Sequence, residues 1–93
     1  MREKDIEKAL VSAVKSFDGV CLKFVSPRTA GVPDRILLMP GGRIAFVELK
    51  APGKEMRPLQ VHRKRQLEAL GFRVYCIDRK EQIMEVLHEI QTT

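Results

Sequence analysis

The strongest constraint on the fold comes from residues 31–50, where charged side chains interrupt two segments that otherwise have the composition of buried strands. Ile36–Met39 and Ile44–Val47 are apolar on both faces, and Pro40–Gly42 between them is a strong turn signal. This pattern predicts a β-hairpin. Charges in such a hairpin are costly to bury unless a partner or a bound ion compensates them.

The length of the turn decides which side chains of the hairpin face each other. If Pro40–Gly42 forms a three-residue turn, counting back along both strands places Asp34 directly opposite Glu48. Directly opposed side chains share a face, with Cβ atoms roughly 4.5–5.5 Å apart. Lys50 returns to that face two residues after Glu48. A two-residue turn would change the register and separate the two acids.

Asp34 and Glu48 would repel each other if they stood alone in the sheet. A shared Mg²⁺ removes that conflict, because it binds one or two carboxylates and keeps several waters. Mn²⁺ would supply the same chemistry. We therefore predict a Mg²⁺ or Mn²⁺ site at Asp34 and Glu48, with the Lys50 ammonium beside it.

The order and spacing of these residues resemble a known nuclease signature. Pro33-Asp34, a hairpin's length of sequence and then Glu48-Leu49-Lys50 resemble the PD-(D/E)XK nucleases. Gly31–Asp34, the short chain and the downstream Gln60 resemble the VRR-Nuc branch, the virus-type replication-repair nucleases. The resemblance covers most of the chain. It implies a single α/β domain over residues 1–93, with a restriction-endonuclease-like αβββαβα order and a mixed four-stranded central sheet flanked by helices.

The same resemblance implies a metal-dependent endodeoxyribonuclease and assigns roles to several residues. The Leu49 carbonyl would be a neutral ligand of the metal, and Gln60 would orient water or the scissile phosphate. Lys50 would position the attacking water or help to deprotonate it. Because two nearby carboxylates stabilise the ammonium form, we favour positioning and charge stabilisation for Lys50.

The first helix is predicted from about Glu3 to Phe17, with its apolar residues on one arc. Those residues are Ile6, Leu10, Ala13, Val14 and Phe17, and the opposite side carries Lys4, Lys8, Ser12 and Lys15. Glu7 falls inside the apolar arc, where an unpaired acid is out of place. We predict that Glu7 reaches the metal as a further ligand, and the alternative is a pair with an arginine at the edge of the core, such as Arg35. VRR-Nuc proteins carry an acid on this helix, and Glu7 lies deeper in it than Glu3.

The remaining elements follow from turn residues and periodicity. Gly19 ends the first helix, and we predict a strand Val20–Val25 and a loop over residues 26–33 before the hairpin. After the hairpin we predict a helix Pro58–Leu70 and a strand Phe72–Ile77 parallel to the strand that carries Glu48. A last helix follows, capped by Asp78 with Glu81 at the capping-box position. The Met and Ile stripe of that last helix is core packing or, alternatively, a dimer interface.

The charge balance favours a polyanionic partner, because 17 Lys and Arg residues exceed 12 Asp and Glu residues and give a net charge of +5. The candidate nucleic-acid contacts are Arg28, Arg35, Lys54, Arg57, Arg63 and Lys64. A plain loop and a solvated helix face are the alternatives for these segments. There is one Tyr, no Trp and no base-reading motif. We therefore expect recognition of DNA shape rather than sequence.

Small VRR-Nuc proteins resemble archaeal Holliday junction resolvases, and a four-way junction requires two symmetric nicks. One small domain supplies one site, so a C₂ homodimer matches the substrate. The sequence thus predicts a Mg²⁺-dependent, structure-selective DNA endonuclease that acts in DNA repair or phage DNA processing as a homodimeric Holliday junction resolvase. The alternatives are a monomeric flap or branched-DNA nuclease and a non-catalytic nucleic-acid-binding module.

The other sequence features point to an intracellular protein. Cys21 and Cys76 are isolated and predicted to be reduced thiols, and neither they nor the two histidines have zinc-ligand spacing. No segment has the length of a membrane span, and the first residues lack the apolar core of a signal peptide. We expect no membrane partner and a cytoplasmic location, in a bacterial or phage-infected cell.

Overall fold

The chain follows the predicted order of elements in the computed structural model, which describes residues 1–92. The elements are α1 Glu3–Ser16, β1 Val20–Lys23, β2 Arg35–Met39, β3 Arg43–Leu49, α2 Pro58–Ala69, β4 Arg73–Ile77 and α3 Gln82–Gln91. β1 is shorter than predicted, because beyond Lys23 only the Phe24 N–H still bonds to the neighbouring strand, at the Asp34 carbonyl. No helix within residues 1–92 combines the length and apolar character needed to cross a bilayer.

The four strands form one mixed sheet in the order β1-β2-β3-β4. β1 pairs antiparallel with β2, β2 pairs antiparallel with β3, and β4 lies parallel to β3. α2 is the crossover that parallel neighbours require. The predicted mixed four-stranded sheet, with β4 parallel to the strand that carries Glu48, is therefore confirmed.

The hairpin of β2 and β3 has the three-residue turn on which the predicted site depends. Met39 pairs with Arg43 across the turn. Gly41 and Gly42 have φ values of 83° and 73°, in the left-handed region that glycine enters without steric cost. The turn residues therefore fix the register, and the register fixes which residues of the two strands face each other.

α1 and α3 cover one face of the sheet and form the main core with it. The buried side chains of this core are Ile6, Leu10, Val14, Leu37, Met39, Ala45, Val47, Leu49, Ile77, Ile83, Val86, Leu87 and Ile90. The apolar stripe of α3 is therefore core packing at most of its positions. Met84 is the exception, because it is exposed.

α2 packs against β4 and contributes little to the core. Gln60 is the one buried residue of this helix, whereas Leu59 and Leu70 are exposed. Since Gln60 bonds to Glu48, which alternates with the core-facing Val47, α2 lies on the face of the sheet opposite to α1 and α3. That face is only partly covered.

Two predicted helix boundaries are corrected by the structure. Asp18, not Gly19, takes the left-handed conformation after α1, with φ 62°, and Gly19 is needed for space, since a Cβ there would lie 2.9 Å from the Leu38 carbonyl oxygen. Asp78 does not cap α3, whose N-cap is Glu81. The Asp78 carboxylate instead accepts the Gly53 N–H, which ties the loop after β3 to the end of β4.

Shortening the turn should destroy the hairpin register. Deletion of Gly42 leaves two turn residues, so one strand must turn its core residues outward or the strands must unpair. We expect the free energy of unfolding to fall by about 3 kcal/mol or more, measured by urea denaturation followed by circular dichroism. Gly42→Asn keeps the turn length and tolerates positive φ, so its cost should be about 1 kcal/mol or less. A deletion variant as stable as the wild type would contradict the register argument.

Candidate active site

The hairpin brings the predicted acids and lysine to one end of the sheet. Arg35 pairs with Val47, so the next register position sets Asp34, just before β2, opposite Glu48 on β3. The Lys50 ammonium lies 3.4 Å from Glu48 Oε2. The three side chains that the sequence singled out therefore meet where β2 begins and β3 ends.

Glu48 is the buried centre of this group, with only 2% of its surface exposed. Its Oε2 atom accepts a hydrogen bond from Gln60 Nε2 at 2.6 Å and faces Lys50. Its Oε1 atom is buried and has no hydrogen-bond partner. A buried carboxylate oxygen without a partner carries a free-energy cost, which a bound cation would remove.

The pKa of Glu48 reflects this environment. Burial raises the pKa of the carboxyl from its usual 4.5 to about 6, and the negative charge of Asp34 adds to the rise. The Lys50 ammonium opposes it, through its charge and through a hydrogen bond. The positive charge supplied by the chain is thus too small to compensate the buried anion, and the site favours additional positive charge.

Asp34 is held at the site by the backbone of β3. Its Oδ2 atom accepts the Leu49 N–H at 2.8 Å, and its carbonyl accepts the Phe24 N–H at 2.9 Å. Leu49, whose carbonyl is the expected neutral ligand, therefore also orients the Asp34 carboxylate. The Lys50 N–H in turn donates to the Ile77 carbonyl of β4, so backbone bonds anchor both ends of the site.

Gln60 joins α2 to the site by two hydrogen bonds. Its Oε1 atom accepts the Arg57 N–H at 2.9 Å, and its Nε2 atom donates to Glu48. The first bond is half of a capping box, which satisfies a free N–H at the helix start. Gln60 was expected to orient water or phosphate, whereas here it orients Glu48. Gln60 lies three residues after the N-cap Arg57, at the capping-box position, and this spacing could have predicted its bond with the Arg57 N–H from the sequence.

Glu7 lies against Arg35 rather than beside Glu48. Its Oε2 atom is 3.0 Å from both Arg35 Nε and Nη2, and Arg35 Nη1 donates to the Cys21 carbonyl. The predicted role of Glu7 as a metal ligand is therefore corrected in favour of the ion-pair alternative. The pair also occupies Arg35, which was one of the predicted nucleic-acid contacts. The arginine lies deep between α1 and the sheet, where it requires a carboxylate partner.

Glu3 is the acid of α1 whose charge acts on the site. Burial is the main cause of the raised pKa of Glu48, and the charge of Glu3 adds to it after that of Asp34. Glu7 was the predicted acid of this helix because it lies deeper in it than Glu3.

Of the other predicted nucleic-acid contacts, three are exposed and two bond to other parts of the chain. Arg28, Lys54 and Arg57 are exposed. Arg63 donates twice to the Ala30 carbonyl and so ties α2 to the loop before Asp34, at 3.2 and 3.1 Å. Lys64 forms an ion pair with Glu68 at 2.9 Å.

The donor set fits a hard divalent cation. Asp34 and Glu48 are two adjacent carboxylates, and the unpartnered Oε1 atom of Glu48 offers an oxygen with no competing bond. Within residues 1–92, no three His, Cys, Asp or Glu side chains are grouped as a metal cluster. Mg²⁺ binds through one or two carboxylates and retains several waters, so it matches a two-acid site.

Comparison with known proteins relates the chain to a nuclease. No family model matches the chain. A protein described as "Putative nuclease p44", from Acyrthosiphon pisum secondary endosymbiont phage 1, is 47% identical over 81 residues, which cover 87% of each chain. A solved structure described as "VRR_NUC domain" has a TM-score of 0.86 and 22% identity, over 92% of this chain and 94% of that one. The first similarity is a family relationship, and the second is a shared fold.

Neutralising Glu48 should stabilise the metal-free protein above pH 6. Because folding raises the pKa from 4.5 to about 6, the protonated form is favoured in the folded state. The stabilisation that protonated Glu48 gives to the folded state is fully present below pH 4.5 and is lost as the pH rises through 6. In EDTA at pH 7.5, the free energy of unfolding of Glu48→Gln should therefore exceed that of the wild type by up to about 2 kcal/mol. The two proteins should converge near pH 4.5.

Urea denaturation across this pH range, with EDTA present, measures the effect. Glu55→Gln removes an exposed acid and should leave the pH dependence of the wild type unchanged. A Glu48→Gln protein that is less stable than the wild type at pH 7.5 would contradict a cost of burying the Glu48 anion.

Proposed function

We propose that the chain, which belongs to the family of the phage protein described as "Putative nuclease p44" and has the VRR-Nuc fold, is a metal-dependent, structure-selective DNA endonuclease. The observation that carries this proposal is the buried Oε1 atom of Glu48, which has no partner although Asp34 and Lys50 lie beside it. A chain that uses such a group only for stability would pair it or replace it by an apolar residue.

Asp34 and Glu48 would hold the Mg²⁺ or Mn²⁺ ion, together with the Leu49 carbonyl. When bound, such an ion neutralises charge on a scissile phosphodiester and makes a water molecule more acidic. The chain supports this site from the protein side, because the Leu49 N–H fixes Asp34 and Gln60 fixes Glu48 through Oε2. Gln60 therefore acts as a positioning residue, and the Oε1 atom of Glu48 stays available.

Lys50 is the cation that the chain itself contributes. Its side chain is only 13% exposed, and its ammonium is 3.4 Å from Glu48 Oε2. A partly desolvated ammonium next to a carboxylate can hold a water molecule or a phosphate oxygen and offset the charge that develops on phosphorus. We assign Lys50 this positioning and electrostatic role rather than that of a general base.

The exposed cations around the site favour a DNA substrate read by shape. Arg28 precedes Asp34 in the loop, Lys54 follows Lys50, and Arg57 precedes α2. Such residues contact phosphates and position the duplex without reading bases. A branched DNA, in particular a four-way junction, is the proposed substrate.

A bare apolar sheet face supports a homodimer. Val20, Leu38 and Ile44 lie in one row across three strands, and they are 52%, 38% and 42% exposed. Leu22, 45% exposed, extends the same face. These four residues form what we call the apolar sheet face. The open face of an antiparallel sheet is ordinarily polar, so an apolar one indicates a contact surface.

A second copy of the chain is the occupant that we propose for the apolar sheet face. A sheet face can pack on its own copy about a twofold axis, because isologous contacts match each residue with its symmetry mate. The resulting dimer carries two active sites, as paired nicks in a four-way junction require.

Cleavage should depend on the metal and on the named side chains. We expect the wild type to cut a labelled four-way junction with Mg²⁺ or Mn²⁺ but not in EDTA. Asp34→Asn and Lys50→Ala should each lower the rate by about 10²-fold or more. Gln60→Ala should lower it by about 10–100-fold, as loss of a residue that orients a metal ligand does. Gel analysis of single-turnover cleavage measures all three.

Flap and linear duplex DNA serve as substrate controls, and Glu85→Gln, an exposed acid on α3, serves as the protein control. Cleavage by Asp34→Asn at the wild-type rate would overturn the site. A wild type that binds junctions and cuts no DNA with either metal would favour the non-catalytic binding module. Preference for flaps would favour the alternative nuclease.

Charge in the apolar sheet face should dissociate the dimer. Leu38→Lys places a cation at an exposed position, so the monomer should remain folded while two like charges oppose each other across the interface. Sedimentation velocity should shift from dimer to monomer. Met84→Lys is the matched control, because Met84 is an exposed apolar residue on α3, the other candidate interface. Dissociation by the Met84 variant but not the Leu38 variant would assign the interface to α3, and a monomeric wild type would exclude the resolvase dimer.

A further inference from the structure

The exposed face of α1 carries a row of lysines. At 100° per residue, Lys4, Lys8 and Lys15 fall within an arc of about 40°, and all three are exposed. They line one side of a shallow groove of about 390 Å³, together with Ser12 and Arg35. We call Lys4, Lys8 and Lys15 the lysine row.

The lysine row is not neutralised by the chain. Among residues 1–92, none of its members lies within 4.0 Å of a carboxylate oxygen in an ion pair. Glu7 is the acid of the groove, and Arg35 already occupies it at 3.0 Å. Four cations and one carboxylate therefore line the groove and leave a net charge of +3.

The arrangement is unfavourable for the helix itself. Lys4 and Lys8 are four residues apart, and like charges at that spacing destabilise a helix by about 0.2–0.5 kcal/mol. A solvated helix face would place an acid at one of these positions, as Lys64 and Glu68 do on α2. Asp5 and Glu7 lie three residues from Lys8 and Lys4 and offset part of this repulsion, but none of the three lysines is held in an ion pair of the described residues.

The groove lies on the α1 face of the sheet, at the end where β2 begins. Arg35, which forms part of its wall, follows Asp34 directly in the chain, so strand alternation places the two side chains on opposite faces of this end of the sheet. The ion pair of Arg35 with Glu7 fastens α1 to β2 at this point. From Lys4 to Lys15 the helix rises about 16 Å. That length corresponds to roughly five phosphates of one DNA strand, at about 3.4 Å each along the duplex axis.

We propose that Lys4, Lys8 and Lys15 bind the phosphates of a DNA arm that passes from the active site round this end of the sheet and then along α1. The inference rests on the proposed DNA substrate and extends it to a second face of the protein. Flexible lysine side chains suit this role, since they contact phosphates as point charges and read no bases. The arm is held by its backbone, so the contact is independent of sequence.

Salt dependence of binding tests the proposal directly. Fluorescence anisotropy of a labelled four-way junction, titrated in EDTA at several NaCl concentrations, reports affinity without cleavage. Each lost phosphate contact should reduce the slope of log K against log salt by about 0.9, so replacement of all three lysines by Gln should reduce it by about 2.7. Affinity near 100 mM salt should fall by at least about 10-fold.

Two control proteins separate a local contact from a general effect of charge. A variant with all three lysines replaced by Arg keeps the charge and should keep the wild-type slope. A variant with Arg43→Gln, Arg65→Gln and Lys80→Gln loses the same charge on other elements and should lower the slope by less than about 1. Thermal denaturation of each variant establishes that it is folded.

The outcomes distinguish this proposal from the proposed function. A triple Gln variant with the wild-type slope overturns the lysine row while the nuclease assignment stands. An equal loss of slope in the triple Gln variant and in the charge-matched control also overturns it, because the effect would then be one of net charge. A wild type that cuts no DNA with Mg²⁺ or Mn²⁺ overturns the proposed function instead, whatever the binding slopes are.

Discussion

The rest of the structure depends on one buried carboxylate. Glu48 lies near the end of β3, an interior strand of the sheet, with 2% of its surface exposed, and its pKa is raised to about 6, chiefly by burial. The chain surrounds it with Gln60 from α2, Lys50 from the end of β3 and Asp34 from the start of β2. These contacts bind one carboxylate oxygen and leave the other free. The free oxygen is the feature on which the proposed cation site depends.

Three parts of the fold hold that carboxylate in place, and each has a simple cause. The turn at Pro40–Gly42 fixes the register of the hairpin through its two glycines. The capping box at the start of α2 fixes Gln60, because the Arg57 N–H occupies its carbonyl oxygen. The parallel pairing of β4 with β3 covers Glu48 from the side, where Cys76 is its partner in the register.

The remaining surfaces are divided by polarity. The apolar sheet face has no covering helix over β1, β2 and the start of β3, whereas α1 presents the lysine row on the opposite layer. The proposed second copy and the proposed DNA arm would therefore bind to separate surfaces. This division is possible because α2 covers only the β4 side of its face, where it also delivers Gln60.

The sequence by itself determined the order of elements, the hairpin register and the meeting of Asp34, Glu48 and Lys50, because turn length and strand alternation are local rules. Tertiary structure decided the partners: Glu7 pairs with Arg35, and Gln60 bonds to Glu48. These contacts join residues far apart in the chain, so they depend on how α1 and α2 settle on the sheet. Periodicity predicts which face of a helix is apolar, but it does not predict which side chains of another element will contact that face.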